Sequence, residues 1–333
     1  MINATRPGTA IAVQLGAVAS HNAARPGLRD RGLTMRLNSP IVSRSPFGMP
    51  KRAAPRASAL AMLRSYLFVP GNRPDRYAKA CATRAGAVIV DLEDAVAPAE
   101  KIAARHALAA WLSAQHRVLV RVNAPGSPWF ADDLRACAND GVSAIVLPKA
   151  ECADDVEQVL AICGPRPVLP LVETARGAWN VLAVAQAPHV RSLLFGSLDF
   201  QADLGASDDD LLYARSRLVL ASRVAGIEAP VDGITQAIDD PELLRRDCER
   251  ARQLGFAGKL CIHPKQVDVV NRCFSPSSDD VAWARRVVDA FAQSSGNAAL
   301  LDGRMIDRPV LVRAQALLDE AGEGRGREAP PGG

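Results

Sequence analysis

Short apolar runs alternate with segments of helical character eight times between residues 65 and 263. The β-branched run Val88-Ile89-Val90 is typical of a strand that is covered on both faces. The eight runs are Ser65–Val69, Ala87–Val90, Val118–Val120, Ala144–Leu147, Val168–Val172, Ser192–Phe195, Ile227–Val231 and Leu260–Ile262. Eight successive strand–helix units predict an α/β fold, a (β/α)8 TIM barrel, whose chemistry lies at the C-terminal ends of its strands.

Helical segments are predicted near 72–84, 100–112, 131–139, 153–162, 175–186, 211–225 and 241–254. Pro230 makes the seventh strand the weakest of the eight. Further helices are expected from Pro264 to Cys273, over 279–293 and over Leu301–Leu318, beyond what eight units need. We therefore expect a disordered basic leader over 1–61, a catalytic barrel over 62–275, a C-terminal helical lid segment over 276–321 and a disordered tail over 322–333.

The net charge of +4 is unevenly distributed. Residues up to Arg64 carry ten basic groups and one acid, whereas the remainder is mildly acidic. The body therefore offers no basic field for nucleic acid, and no apolar run has the ~20 residues of a membrane helix. The seven cysteines form no C-x-x-C pair, which favours a reducing cytoplasm. The leader is interpreted as a disordered segment or a misplaced start, with a transit peptide to an organelle matrix as the alternative.

Two carboxylates follow consecutive strands, Glu173 after the fifth and Asp199 after the sixth. Neighbouring strand ends lie close together in a barrel, so both groups can converge on one point. Hard oxygen ligands, with waters and substrate completing an octahedron, suit Mg2+, with Mn2+ as an alternative. Each acid could equally cap the following helix or pair with an arginine.

Arg121 ends the third strand inside an apolar run, where an unpaired charge would be costly. Its guanidinium suits a bidentate clamp on a substrate carboxylate. The alternative is a structural ion pair with Glu93 or Asp94. The acids of Asp91-Leu92-Glu93-Asp94 could bind metal, orient Arg121 or solvate a loop.

Two further polar residues follow strands. Lys149 could form a Schiff base, although a salt bridge to the acidic loops is the favoured interpretation. His263 is interpreted as a hydrogen-bonded core histidine rather than a catalytic base.

Seven motifs in order resemble the citrate lyase β-subunit-like branch of the HpcH/HpaI aldolase superfamily, and the resemblance covers about residues 62–318. The motifs are R-S-Y-L-F-V-P-G (Arg64–Gly71), A-V-I-V-D-L-E-D-A-V (Ala87–Val96), V-R-V-N (Val120–Asn123), L-P-K-A-E (Leu147–Glu151), L-V-E-T-A (Leu171–Ala175), G-S-L-D-F-Q-A-D-L-G (Gly196–Gly205) and G-F-A-G-K-L-C-I-H-P-K-Q (Gly255–Gln266).

The resemblance implies a Mg2+-dependent carbon–carbon lyase that acts on acyl-CoA and assembles as a homotrimer or hexamer. It implies that Glu173 and Asp199 are metal ligands, with Glu173 also facing substrate. Arg121 would clamp the 2-oxo acid carboxylate. Lys79 would contribute to the CoA-binding surface, with Arg73 as a weaker candidate.

The segment L-D-G-R-M-I-D-R-P (Leu301–Pro309) resembles the C-terminal lid of malyl-CoA and citramalyl-CoA lyases. In that group an aspartate of this segment is the acid/base and reaches a neighbouring subunit's site in trans. Asp307 is the best positional match and Asp302 the second. The alternative for Asp307 is a helix N-cap, because Asp307-Arg308-Pro309 also suits a helix start.

The expected substrate is a 3-hydroxy-3-carboxy acyl-CoA such as malyl-, citramalyl- or citryl-CoA, cleaved to an acyl-CoA and a 2-oxo acid. Three alternatives stay open at this point. They are a citrate lyase β subunit acting on a carrier-protein thioester, a class II pyruvate aldolase that uses no CoA, and a non-catalytic scaffold.

Overall fold

A computed structural model describes residues 63–207, 211–294 and 298–322 of the chain. Eight parallel strands close into a barrel in sequence order, β1 to β8. Register pairs Asp91 of β2 with Arg121 of β3, and Val172 of β5 with Phe195 of β6. The strands are β1 (Ser65–Pro70), β2 (Ala87–Asp91), β3 (Val118–Arg121), β4 (Val142–Leu147), β5 (Val168–Val172), β6 (Leu194–Phe195), β7 (Val231–Asp232) and β8 (Gly258–Cys261). The predicted TIM barrel is confirmed.

Helices alternate with these strands. They are α1 (Tyr77–Cys81), α2 (Lys101–Trp111), α3 (Phe130–Ala136), α4 (Ala153–Cys163), α5 (Ala175–Trp179), α6 (Val181–Gln186), α7 (Ser197–Leu204), α8 (Leu212–Ala225), α9 (Pro241–Leu254) and α10 (Pro264–Phe274), with short 3-10 turns at Pro74–Arg76 and Pro98–Glu100. The barrel interior is filled by an inner layer that includes Ile89, Leu119, Val146, Leu171 and Leu260. A larger apolar cluster packs the outer face of the barrel against the helices.

Several predicted elements of the barrel differ from the structure in their bounds. The first helix ends at Cys81 rather than near residue 84, and the segment over 175–186 is two helices separated at Asn180. The seventh strand begins only at Val231, because Pro230 has no N–H to donate to a neighbouring strand. Pro230 instead accepts a hydrogen bond through its carbonyl, from the Ala257 N–H.

The chain continues past the barrel into helix α11 (Ser278–Gln293), an antiparallel hairpin of β9 (Ala299–Leu301) and β10 (Arg304–Ile306), and helix α12 (Arg308–Glu320). The expected single helical element over Leu301–Leu318 was therefore wrong in its first part, where a turn through Asp302 and Gly303 joins the two strands. The extension has its own small core and is tied to the barrel by ion pairs of Glu320 with Arg64 (3.1 Å) and of Asp280 with Arg252 (2.9 Å).

The predicted leader over 1–61 lies outside the described residues, as does nearly all of the predicted tail over 322–333. Among the helices that are described, none combines the length and the apolar character needed to cross a lipid bilayer.

Candidate active site

Arg121 lies at the centre of an ion-pair network at the C-terminal end of β3. Its Nε and Nη2 donate to the two carboxylate oxygens of Asp91, at 2.7 and 2.6 Å. Its Nη1 faces Glu93 Oε2 at 3.2 Å and Asp94 Oδ2 at 3.5 Å. Burial opposes the charge, but the carboxylates, Asp91 foremost, raise the pKa of Arg121 above its usual value. Arg121 therefore makes the ion pairs of the alternative interpretation, with Glu93 and Asp94, and a closer one with Asp91, which agrees with the expectation that this acidic cluster could orient Arg121.

The Glu173 carboxyl group is almost completely buried, with 2% of the residue exposed. Its Oε1 accepts a hydrogen bond from the Lys149 backbone N–H at 2.8 Å. Burial, and then the nearby carboxylates of Glu93 and Asp199, raise the pKa of Glu173 to about 8, although Arg121 opposes the shift. Glu173 is thus a buried acid with two other carboxylates nearby.

Asp199 lies in the first turn of α7 rather than at the end of a strand, because β6 ends at Phe195. Its side chain is 43% exposed and lies close enough to Glu173 to affect its titration. Gly196 makes this approach feasible, since a Cβ there would lie 2.5 Å from Glu173 Oε2. The structure therefore brings the two predicted carboxylates to one place.

Glu173, Asp199 and Arg121 line a single cavity of about 380 Å3 at the C-terminal mouth of the barrel. Much of its wall is apolar and includes the inner-layer side chains Leu171 and Leu260. The other lining residues are Phe68, Pro70, Asp91, Asp94, Ala95, Phe195, Gly196, Ser197, Leu198, Ile234 and Ile262. The arrangement provides one guanidinium, several carboxylates and an apolar floor within a space that suits a small acid.

The donor set at this mouth fits a hard divalent cation. Within the described residues, no three His, Cys, Asp or Glu side chains form a ready-made metal cage. Mg2+ is commonly held by one or two protein carboxylates, with water and substrate oxygens completing its shell. Glu93 Oε2 is buried and lies 3.2 Å from Arg121 Nη1 without forming a hydrogen bond, and Glu173 is buried near Glu93 and Asp199 without an ion-pair partner among the described residues. Glu173 and Asp199 are therefore suited to bind Mg2+.

Lys149 follows β4 and contacts the same acids. Its Nζ donates to Glu93 Oε1 and lies 4.0 Å from Asp199 Oδ2. The favoured interpretation of Lys149 as a salt-bridge partner of the acidic loops is thus confirmed.

A second cavity, of about 530 Å3, adjoins the first and shares Phe68, Pro70 and Ile262 with it. Lys79 lines this groove from α1 and is exposed. Arg73 also lines it, but its guanidinium is engaged by Asp75 at 2.9 and 2.8 Å. Because Asp75 engages Arg73, Lys79 contributes more than Arg73 to the basic character of the groove.

The sequence singled out neither Arg76 nor His263 as part of this groove, yet both line it. His263 is only partly buried and caps α10, with Nδ1 accepting from the Lys265 N–H at 3.2 Å. Its interpretation as a core histidine was wrong. The following Pro264, which opens a helix, was the available signal for a cap.

Neither aspartate of the extension lines the cavity of its own chain. Asp307 is the N-cap of α12 and accepts from the Val310 N–H at 3.3 Å, so the alternative role of a cap is observed. Asp302 sits in the hairpin turn with a φ of 51° and forms an ion pair with Arg286. A role for either one in this cavity requires a second copy of the chain.

Comparison with known proteins agrees with this geometry. A family model described as HpcH/HpaI aldolase/citrate lyase matches residues 64–264. A citrate lyase subunit beta-like protein of Deinococcus radiodurans is 40% identical over 280 residues, covering 78% of this chain and 97% of its own. A (3S)-malyl-CoA thioesterase of Cereibacter sphaeroides is 36% identical, covering 78% and 94%.

Among solved structures, the protein CitE from Mycobacterium tuberculosis in complex with magnesium, acetoacetate and coenzyme A is 39% identical. It superposes with a TM-score of 0.71 and covers 79% of this chain and all of its own. Fold, motif order and sequence identity thus agree with the resemblance noted above. The chain belongs to the HpcH/HpaI aldolase/citrate lyase family of enzymes.

Proposed function

We propose that this lyase cleaves, or in reverse forms, a carbon–carbon bond in a 3-hydroxy-3-carboxy acyl-CoA in a Mg2+-dependent reaction. The observation that carries the proposal is the convergence of Glu173, Asp199 and Arg121 on one cavity that adjoins a basic groove. A neighbour of 39% identity was solved with magnesium, an oxo acid and coenzyme A together. In this chain the carboxylate pair would suit magnesium, the guanidinium would suit the oxo acid, and the groove with exposed cations would suit coenzyme A.

Glu173 and Asp199 would hold Mg2+, with Mn2+ as a substitute. When bound, the ion acts as a Lewis acid that lowers the pKa of the substrate hydroxyl and stabilises charge on its oxygens. Glu173 approaches from the buried barrel side and Asp199 from the more exposed α7. Both residues line the cavity in which we propose that the substrate binds, so substrate oxygens could complete the shell of the ion.

Arg121 would fix the substrate carboxylate and keep the breaking bond aligned. Asp91 occupies Nε and Nη2 and so sets the plane of the guanidinium. Nη1 is the remaining nitrogen of the guanidinium, and it faces Glu93 and the half-exposed Asp94. A substrate carboxylate would displace Asp94, the more weakly held of these two acids.

Cleavage breaks the bond between the thioester α-carbon and the carbinol carbon. The alcohol would release its proton to solvent and become the carbonyl of the oxo acid, and the electron pair of the broken bond would stay on the α-carbon as the thioester enolate. A general acid must then protonate that carbon, and the same group in its base form removes the α-proton in the reverse direction. We propose Asp307 of a neighbouring copy for this role, with Asp302 as the second candidate.

The groove beside the cavity would bind the CoA portion, with Lys79 contacting its phosphates. Shared lining by Phe68, Pro70 and Ile262 places the groove next to the acyl site, so a thioester could extend from one cavity into the other. Lys79 is exposed and can reorient to meet an anion.

The deciding assay follows release of acetyl-CoA and free CoA from a panel of thioesters, with Mg2+ and with EDTA. The panel contains malyl-, citramalyl- and citryl-CoA, together with 3-hydroxy-3-methylglutaryl-CoA, whose cleavage would give acetoacetate. We expect at least one substrate to yield acetyl-CoA and an oxo acid, and EDTA to abolish the reaction. Release of free CoA without acetyl-CoA would instead indicate a thioesterase, the activity named for a 36% identical relative.

The same assay separates the remaining alternatives. Activity only on a carrier-protein thioester would identify a citrate lyase β subunit, and cleavage of free hydroxy-oxo acids without CoA would identify a class II aldolase. A scaffold would show no activity on any substrate and no loss on Glu173→Ala or Asp199→Ala.

Complementation tests the proposed contribution of Asp307 in trans, and with it the homotrimer or hexamer. Asp307→Ala and Glu173→Gln should each be inactive alone, since each lacks one part of every site. Co-expressed, they should form mixed assemblies in which some sites contain both residues, and activity should return to a fraction of the wild-type level. Absence of recovery from a proven mixed assembly would place the acid on the same chain as Glu173.

A further inference from the structure

Lys149 has an unusual backbone conformation at the end of β4. Its φ is 49°, in the left-handed region that a residue with a Cβ seldom adopts. Such a conformation is unfavourable for a residue with a Cβ and persists where the surrounding structure enforces it. Here it accompanies a hydrogen bond from the Lys149 N–H to Glu173 Oε1, at 2.8 Å. The strained turn therefore holds one of the two proposed metal ligands.

The side chain of Lys149 lies close to two other carboxylates of the site. Nζ donates to Glu93, which is buried, and lies 4.0 Å from Asp199 Oδ2. One residue thus touches Glu173 through its backbone and faces Glu93 and Asp199 through its ammonium group. Arg121 cannot do this alone, because Asp91 takes two of its donors.

We infer that Lys149 is a positioning residue that holds these carboxylates together in the metal-free protein and thereby weakens Mg2+ binding. The inference rests on the proposed metal site, and it assigns no covalent step to Lys149. Its ammonium group occupies the acidic cluster that a divalent cation would enter. Like charges repel, so an entering ion must work against the ammonium group or displace it.

The test compares three versions of the full-length protein. Lys149→Met keeps the length and the backbone cost of a non-glycine residue but removes the charge. Lys149→Arg is the matched control, since it keeps both. Titration calorimetry with Mg2+ alone gives the dissociation constant, and thermal unfolding in EDTA gives the stability of the metal-free protein.

We expect Lys149→Met to bind Mg2+ about 5-fold more tightly than the wild type, as removal of one nearby positive charge would cause in a largely hydrated site. In EDTA the same variant should melt at a lower temperature, because the buried Glu93 loses one of its two cations and keeps only Arg121. Lys149→Arg should behave like the wild type in both measurements. If Lys149 were purely structural, Lys149→Met would lower the melting temperature without tightening the binding of Mg2+.

Equal or weaker Mg2+ binding by Lys149→Met, with binding retained by the wild type, would overturn this role and leave the proposed lyase site intact. If the wild type itself bound no Mg2+, both would be overturned. Should Lys149→Met fail to fold, Lys149→Gln gives the same comparison with a polar side chain.

Discussion

Two clusters of charged residues are built on strands of the barrel, and they are balanced in opposite ways. In the β7–β8 cluster, Asp232 accepts from Arg215 Nε at 2.9 Å and from Lys259 Nζ at 3.1 Å, and all three side chains are buried. Despite its burial, the two cations hold the pKa of Asp232 below its usual value. Among the residues that the structure describes, Asp232 here accepts from two cations.

The mouth cluster, formed by Asp91, Glu93, Glu173, Arg121 and Lys149, has the reverse balance. Its acids outnumber its cations. Glu93 pairs with Lys149 and Arg121, whereas Glu173 forms no ion pair with a described residue, and burial with like charge raises the pKa of Glu173 to about 8. Buried charges are ordinarily paired, so a buried acid without an ion-pair partner at a cavity is a candidate for function. We therefore expect the β7–β8 cluster to stabilise the fold and the mouth cluster to accept a cation from outside the chain.

The largest effect is expected from Arg121→Ala. Loss of the clamp should lower kcat/KM for the active thioester by roughly 10^3-fold, through lost alignment and lost charge stabilisation. Steady-state kinetics measures the change. Arg121→Lys is the control, because it keeps a cation for Asp91 and Glu93 but lacks the planar fork of a guanidinium. Near-normal turnover in Arg121→Ala would show that the ion pairs of Arg121 are purely structural.

Asp232→Asn tests whether the β7–β8 cluster stabilises the fold. It leaves the Arg215 and Lys259 charges without their buried acid, and breaking such a pair typically costs about 3–5 kcal/mol of unfolding free energy. Glu173→Gln removes an acid that already lacks compensation, so in EDTA it should change stability by less than about 1 kcal/mol. Urea denaturation of both variants measures the difference. Equal losses would remove the distinction between the two clusters.

The two clusters should also respond oppositely to pH. Because the pKa of Glu173 rises from 4.5 to about 8 on folding, the folded state retains a proton there that the unfolded chain releases. This carboxyl should therefore lower the stability of the metal-free protein progressively from pH 4.5 to about 8. Asp232, whose pKa is lowered from 3.8, contributes stability that is present above that value and is lost as the solution becomes more acidic.

Urea denaturation across this range in EDTA checks the sign. Glu173→Gln should show a less negative slope of stability against pH than the wild type between pH 4.5 and 8. Saturating Mg2+ should flatten the wild-type slope in the same way, since the ion favours the ionised carboxylate. An identical slope in the variant would show that Glu173 titrates normally.

The smallest effect is expected from Lys79→Ala, outside both clusters. An exposed cation that contacts a phosphate contributes little, so KM for the thioester should rise roughly 3- to 10-fold with kcat nearly unchanged. Arg245→Ala on α9 is the control, because Arg245 is also exposed but pairs with Glu242 and Glu249 away from the groove. An unchanged KM would remove Lys79 from the binding surface.

The barrel could be predicted because its signal is periodic and repeated, so an error at one strand does not change the fold. The candidate site could be predicted in part for the same reason, since Glu173 and Arg121 follow strands directly. The Asp91–Arg121 pair follows from the register of β2 with β3, which apolar runs alone do not specify. The left-handed turn at Lys149 gives no signal in residue type, because lysine does not favour it.

The hairpin of the extension is a different case. Asp302-Gly303 between apolar segments is a recognised signal for a tight turn, and the expectation of helix over Leu301–Leu318 overlooked it. The position of Asp307 relative to a neighbouring copy depends on assembly, which a single sequence does not encode locally.

The proposed metal site is best tested by a crystal structure with Mn2+ and a small 2-oxo acid, because the anomalous signal of manganese locates the ion. We expect one peak in the barrel mouth, about 2.0–2.3 Å from a carboxylate oxygen of Glu173 and from one of Asp199. The acid's carboxylate should lie within hydrogen-bond distance of Arg121. A well-occupied ion bound elsewhere, or an acid in the cavity with no metal between these carboxylates, would contradict it.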